Sequence, residues 1–197
     1  MGTSAPSQAS SPDWSALFGA AEAQSGYFTT GQAAAAGYSP QLLYKYLGNE
    51  KVARARRGIY RLVHFPAGEH EDLVVHWLWA EQAGVFSHET ALALHDLSDV
   101  LPSRVHMTLP AAWRRRRLRV PRGLVLHYAE VGASDRDWFS AVPVTSPRRT
   151  LRDCIEANVS PDLVRQGVGQ ARRRGLISER DRAALEASLD RGSKSSR

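Results

Sequence analysis

The chain has a single cysteine, Cys154, and only three lysines, Lys45, Lys51 and Lys194, among its 26 basic residues. One thiol closes no internal disulfide and supplies no multi-cysteine metal site, and its setting in LRDCI reads as core packing. No apolar run approaches the roughly 18 to 20 residues of a membrane span. The opening MGTSAPSQASSP lacks the basic flank and apolar stretch of a signal peptide, so the expectation is a cytoplasmic protein with no membrane partner. The fingerprints of several enzyme classes are missing too: no P-loop, no GxSxG, no GxGxxG between a strand and a helix, and no HExxH. A nuclease usually brings carboxylates to a divalent ion, often with a lysine two residues after one of them. None of the three lysines has Asp or Glu at that position. No catalytic residue, no metal ligand and no cofactor are therefore expected.

What is present is arginine. The 197 residues carry a formal net charge of +6, and arginine supplies all the basic residues but those three lysines. Guanidinium forks suit phosphate and guanine edges; a GC-rich genome gives the same enrichment and inflates alanine as well. The length and 43% hydrophobic content suffice for one large core or two small ones, and the N-terminal punctuation favours two. Residues 1–12, rich in Ser, Ala and Pro, and the tail 191–197 are expected to be disordered.

After Pro12-Asp13, the spacing of Trp14, Leu17, Phe18 and Ala21 predicts a helix that ends before Gly26. Thr29 or Thr30 can cap a second, short helix in GQAAAAG, which Gly37 closes. Ser39-Pro40 opens a third helix, running to about Gly48. Its Leu42, Leu43, Tyr46 and Leu47 form one apolar stripe, and Gln41, Tyr44 and Lys45 project on the other side. Lys51–Arg56 and Ile59–Val63 then read as two strands around an Arg57-Gly58 turn, with Arg54 and Arg56 on one strand face by the two-residue period.

Three helices followed by a basic hairpin over residues 13–65 is the layout of a winged helix-turn-helix, whose third helix enters the major groove and whose wing touches flanking phosphate. On that reading Gln41, Tyr44 and Lys45 contact DNA from helix three and Arg54, Arg56 and Arg57 from the wing. The alternative is a small helical subdomain in which the hairpin covers a core and its arginines are simply solvated.

A second region, 69–190, begins after Pro66-Ala67-Gly68. Residues 69–83 predict a helix, Ser87 caps another in HETALALHDL, and RVHMTLP, GLVLHYA and AVPVT predict strands. Helices follow from Ser146-Pro147, Ser160-Pro161 and Ser178. The expected class is α+β throughout, the second region having an antiparallel sheet and flanking helices. Between its strands lies the most basic window, in which Arg114, Arg115, Arg116 and Arg117 are adjacent. Such a run is either solvated or meets an anion, DNA or an acidic protein. The seven histidines read as structural: His88 and His95 share a helix face, and His106 and His127 sit in strands with no recognisable partner. Asp135 and Asp137, in the loop-like ASDRDWF, read as helix caps.

The ordered blocks GYFTTGQAAAAGYSPQLLYKYL, RARRGIYRL, VFSHETALALHDL, RVHMTLP and VTSPRRTLRDC resemble the AbiEi-type antitoxins of type IV toxin-antitoxin systems, which are bacterial transcriptional regulators. The resemblance implies an N-terminal winged helix that represses the antitoxin-toxin operon by binding an operator with repeats in double-stranded DNA. It also implies a C-terminal domain that assists repression and counters a nucleotidyltransferase-like toxin. Two other classes compete. One is a protein-interaction module that binds an acidic partner and no DNA. The other is a nuclease-related protein, which the missing carboxylate-lysine pattern disfavours.

Overall fold

A computed structural model of the chain describes residues 11–195, with side chains to Arg191. Most of the expected disordered start, residues 1–10, and the last two residues of the tail lie outside the described residues. The chain divides into two compact units, one ending at Trp79 and one beginning at Ala80.

The N-terminal unit runs α1 Trp14–Glu22, β1 Tyr27–Thr29, α2 Thr30–Ala35, α3 Pro40–Gly48, β2 Val52–Arg56, β3 Ile59–Leu62 and α4 Glu71–Trp79. Each of the first three helices starts on a side chain that satisfies an orphan amide. Asp13 accepts from Ala16 N–H, Thr29 forms a reciprocal capping box with Gln32, and Ser39 accepts from Leu42 N–H ahead of Pro40 at the first helical position. α2 ends where Gly37 takes φ +81°, which lets its amide and that of Tyr38 return to Ala34 and Ala33 carbonyls. Tyr27–Thr29 is a strand paired antiparallel to β3, giving the order β1-β3-β2. Leu17, Phe28, Leu43, Val52 and Leu62 are buried together, each worth about 1.5–3 kcal/mol of apolar burial.

The boundary falls later than Pro66-Gly68 suggests, because α4 is anchored on this sheet. Glu71 accepts hydrogen bonds from Tyr27 Oη at 2.7 Å and from Arg61 at 3.0 Å. Burial first, then Glu71, pushes the Tyr27 hydroxyl up to about 12.

The C-terminal unit comprises β4 Val85–Phe86, α5 His88–Leu94, β5 Val105–Leu109, β6 Leu124–Tyr128, β7 Arg136–Phe139, β8 Val142–Thr145, α6 Pro147–Glu156, α7 Pro161–Arg173 and α8 Glu179–Ser195. Its sheet, in the order β6-β5-β4-β8-β7, is mixed rather than the antiparallel one expected. β4/β5 and β7/β8 are antiparallel, while β5/β6 and β4/β8 are parallel. Parallel neighbours need a long crossover. Residues 110–123, which contain a 3-10 turn over Ala111–Arg115, supply one between β5 and β6. Helices α5 to α8 enclose Leu92, Leu97, Leu151, Cys154, Val164 and Val168. Gly167 permits the close approach, since a Cβ there would stand 2.8 Å from Leu151. Cys154 is fully buried, and burial pushes its thiol up to about 12, so it packs and does not react. α8 continues to Ser195, so residues 191–195 of the tail expected to be disordered are helical; Gly192 lowers helix propensity without ending the helix.

Candidate functional site

α3 divides as its sequence predicts. Leu43 is buried, with Leu42, Tyr46 and Leu47 packed against the same core. Gln41, Tyr44 and Lys45, spaced i, i+3, i+4, form one exposed stripe, and Tyr44 is 71% exposed. A tyrosine that far into solvent contributes little to its own unit's stability. Tyr46 stacks on Trp14 at 6.2 Å and meets Tyr38 edge-on, which fixes the helix's rotation and hence the direction of the exposed stripe.

The hairpin differs in one respect from expectation. Its register slips between Arg54 and Arg56: Arg54 lies opposite Tyr60, but Arg56 lies opposite Ile59. Consecutive residues of β3 face opposite sides, so this bulge turns Arg56 away from Arg54. The strict two-residue period had put them on one face. Arg54 and Arg57 are exposed and Arg56 is half-buried. Burial lowers the pKa of His76 on α4, and the charge of Arg56 lowers it further.

Arg114 to Arg117 belong to the C-terminal unit. Arg114 donates to the Tyr128 carbonyl and lies over the Tyr128 ring, while Arg116 stacks on Trp113 at 3.8 Å and pairs with Glu81. All four are exposed, but two of them already have partners within their own unit. A run of identical residues thus divides into two held and two projecting.

Two polar constellations in this unit were not legible in advance. The first surrounds Arg149, from the block TSPRRTL. Its Nε donates to Asp153 at 2.6 Å, and one terminal nitrogen donates to Asp135 and to the Glu130 carbonyl. Asp135 also pairs with Arg148 and Arg152, so it gathers α6 rather than capping a helix, and its ASDRDWF segment contains strand β7. Burial alone would raise the Asp135 carboxyl, but the hydrogen bond from Arg149 and the neighbouring guanidinium charges hold it below its ordinary value. At Asp153 burial prevails over Arg149 and lifts the carboxyl.

The second constellation joins His88, His106 and His127. Thr108 pairs with His127 across β5/β6, so His106, two residues before Thr108, shares its face. His106 Nδ1 lies 3.1 Å from His127 Nε2, and the rings of His88 and His127 stack at 3.5 Å. Ser87 makes no capping bond to α5, contrary to the expected cap, because its Oγ is engaged by Thr108 and by His88 Nδ1. Burial, and then the charges of neighbouring histidines, push His88 down to about 3 and His127 to about 4, so both rings are neutral at pH 7.

Residues 16–63 match the family model described as "Transcriptional regulator, AbiEi antitoxin". The resemblance read from the sequence therefore holds over the segment that contains α3 and the hairpin, and the family is a regulatory one. No curated protein matches the chain. The crystal structure of the RV2827C protein from Mycobacterium tuberculosis is similar at a TM-score of 0.53 and 16% identity, over 89% of this chain and 75% of that one, a likeness of fold. Among the described residues no helix is long and apolar enough to cross a membrane.

Proposed function

We propose that the chain is a sequence-specific DNA-binding repressor and the antitoxin of a type IV toxin-antitoxin pair, acting in the cytoplasm through a winged helix-turn-helix in its N-terminal unit. The observation that carries this reading is the outward stripe of α3, with Gln41 and the 71% exposed Tyr44 ring beside Lys45, in the segment that matches a family of transcriptional regulators. A helix packed on one side and polar on the other suits the major groove. Arg54 and Arg57 would meet flanking phosphate, and Arg56, on the other strand face, would contribute less. Arg115 and Arg117 of the C-terminal unit are candidate further phosphate contacts, as are Arg114 and Arg116, which are also exposed but already have partners. The antitoxic role, against a nucleotidyltransferase-like toxin, would belong to the C-terminal unit.

Gel shift and fluorescence anisotropy with the promoter region of the chain's own operon test this. Tyr44→Ala and Lys45→Ala should each cost about 1–3 kcal/mol of specific binding and little non-specific binding. The Arg54→Ala/Arg57→Ala pair should weaken binding to every duplex and flatten the slope of log affinity against log salt by about 0.9 per lost phosphate contact. Equal losses on all duplexes from the α3 substitutions would remove the reading helix. A stable complex with a neighbouring gene product, and no DNA affinity in the unaltered chain, would replace the proposal with a protein-interaction module.

A further inference from the structure

We propose that His88, His106 and His127 form a binding site for a divalent transition-metal ion of the Zn2+ class, oriented by Glu89 and Ser87. Each of the three side chains offers one ring nitrogen, and these nitrogens all lie within 4.8 Å of one another. A tetrahedral ion bound by imidazoles at about 2.0–2.1 Å holds its ligand atoms roughly 3.3 Å apart. The 3.1 Å between His106 Nδ1 and His127 Nε2 is close to that spacing; the two rings must turn for their lone pairs to converge on an ion, and His88 must swing in.

The surrounding groups prepare the right nitrogens. Glu89 Oε2 lies 3.3 Å from His106 Nε2. A carboxylate there accepts the Nε2–H, which keeps that proton on Nε2 and leaves the lone pair on Nδ1, facing His127. This is the carboxylate-histidine arrangement that fixes tautomer and raises ligand basicity in metal sites. Ser87 Oγ, 2.9 Å from His88 Nδ1, can accept that ring's N–H and leave Nε2 as the ligand. Neutral imidazole is the ligating form; with the His106 lone pair on Nδ1, His127 Nε2 donates the 3.1 Å hydrogen bond, so ion binding requires the His127 proton to shift to its Nδ1. Imidazole ligands suit zinc, copper and nickel. Three protein ligands leave a fourth position for water, and the His106 side chain, 16% exposed, gives an ion a way in.

The backbone is consistent with a specified position. His88 has φ +53°, a conformation that a bulky residue adopts only when its surroundings over-determine it. Two features hold it: the Ser87 amide bonds the His106 carbonyl, and the His106 amide bonds Thr90 Oγ1. The first residue of α5 is thereby stitched to the strand that carries the second histidine. In this structure His88 stacks on His127. Coordination requires that ring to leave the stack, a movement with its own spectroscopic signature.

The test uses the full chain, freed of metal by chelator, with Co2+ as the probe and Zn2+ as the competitor. The expected result is uptake of one Co2+ with a visible d-d band of a four- or five-coordinate site, displaced by Zn2+, together with a shift of the His88 and His127 ring-proton resonances as the stack opens. His127→Asn and His106→Asn should each lower affinity at least 100-fold. Glu89→Gln, which keeps all three ligands and leaves packing almost unchanged, should lower it about 10-fold, so the proposal remains testable even where an asparagine variant fails to fold. Absence of a visible band at millimolar Co2+, or uptake at unchanged affinity in all three variants, as surface histidines such as His64 and His70 would give, would overturn it.

Discussion

Among the described residues, the buried polar and charged side chains, tyrosine and tryptophan apart, are distributed very unevenly between the two units. The N-terminal unit buries one, Gln24, whereas the C-terminal unit buries Ser87, His88, Thr90, Thr108, Thr145, Arg149, Thr150 and Asp153. In the first, apolar side chains make the core, and the exposed side chains proposed to meet DNA lie on a stretch from Gln41 to Arg57 that is nearly continuous in sequence. In the second, the chemistry is inside and is assembled from residues far apart in the chain. A buried polar group must be satisfied with good geometry or it costs free energy. The C-terminal unit therefore depends on particular pairs to a degree that the N-terminal unit does not.

The sharpest way to break this contrast is Arg149→Ala. The substitution strands Asp153, whose Oδ2 is already buried without a hydrogen-bond partner, and removes a donor to Asp135 and to the Glu130 carbonyl. Removing one member of a buried ion pair leaves an uncompensated charge and costs about 3–5 kcal/mol. Hydrogen exchange should show α6 and β8 losing protection while the amides of β2 and β3 retain theirs. If both units lost protection equally, they would form one cooperative body and the contrast would have no energetic meaning. An Arg149→Ala/Asp153→Leu double variant should recover part of the loss, because it removes the stranded charge as well.

The same contrast explains what was legible in the sequence. α1, α2 and α3 carry their own start signals at Asp13, Thr29 and Ser39, and the stripe of Leu42, Leu43, Tyr46 and Leu47 needs no knowledge of distant partners. A one-residue bulge defeated the assignment of Arg56, since periodicity holds only while the register does. In the C-terminal unit most elements were readable, but the short β4 and the loop-like segment that holds β7 were not, nor was the pairing of the strands. Nothing in RVHMTL or LVLHY says that the two strands lie parallel, and that register alone brings His106 to His127. Ser87 and Ser146 sit where caps belong, but neither makes a side-chain capping bond; at Ser87 tertiary partners take the hydroxyl. The role of Arg149 was not legible because its two carboxylates come from different elements, one 14 residues upstream and one a helical turn on.

Acid provides the next test, about half as large. The folded pKa of His88 lies at about 3 and that of His127 at about 4, below the ordinary value near 6.5 of an unfolded chain. The unfolded state thus binds protons first, and the stability these neutral rings contribute is fully present above about pH 6.5 and lost as pH falls toward 4. From pH 7 to pH 5 the loss should be about 2 kcal/mol after allowance for solvent screening of the part-exposed His127 ring. In chelator-treated protein, exchange of β5 and β6 amides through global opening of that unit should accelerate about 30-fold relative to β2 and β3, after correction for intrinsic rates. His127→Gln should remove part of that acceleration. An equal response in the two units would show that the buried histidines are not the source.

The smallest effect lies in the N-terminal unit and concerns the junction that delivers α3. Thr29 accepts the Gln32 amide at 3.1 Å and Gln32 returns a bond to the Thr29 amide at 2.8 Å, while the Gln32 side chain also exchanges hydrogen bonds with the buried Gln24. Thr29→Ala removes one orphan-amide partner and leaves the rest, a loss of about 1 kcal/mol. Because the N-terminal core is apolar and locally organised, that loss should lower the unit's stability without redirecting Tyr44, so specific and non-specific DNA affinities measured well below the melting temperature should stay in the same ratio. Gln24→Ala provides the internal comparison: it leaves the Gln32 amide short of a buried partner, and it should cost more than Thr29→Ala although it makes no cap itself. Should Thr29→Ala instead prove the costlier of the two, the polar pair beneath α2 would count for less than the cap above it, and the N-terminal unit would depend on local signals even more completely than its single buried polar residue implies.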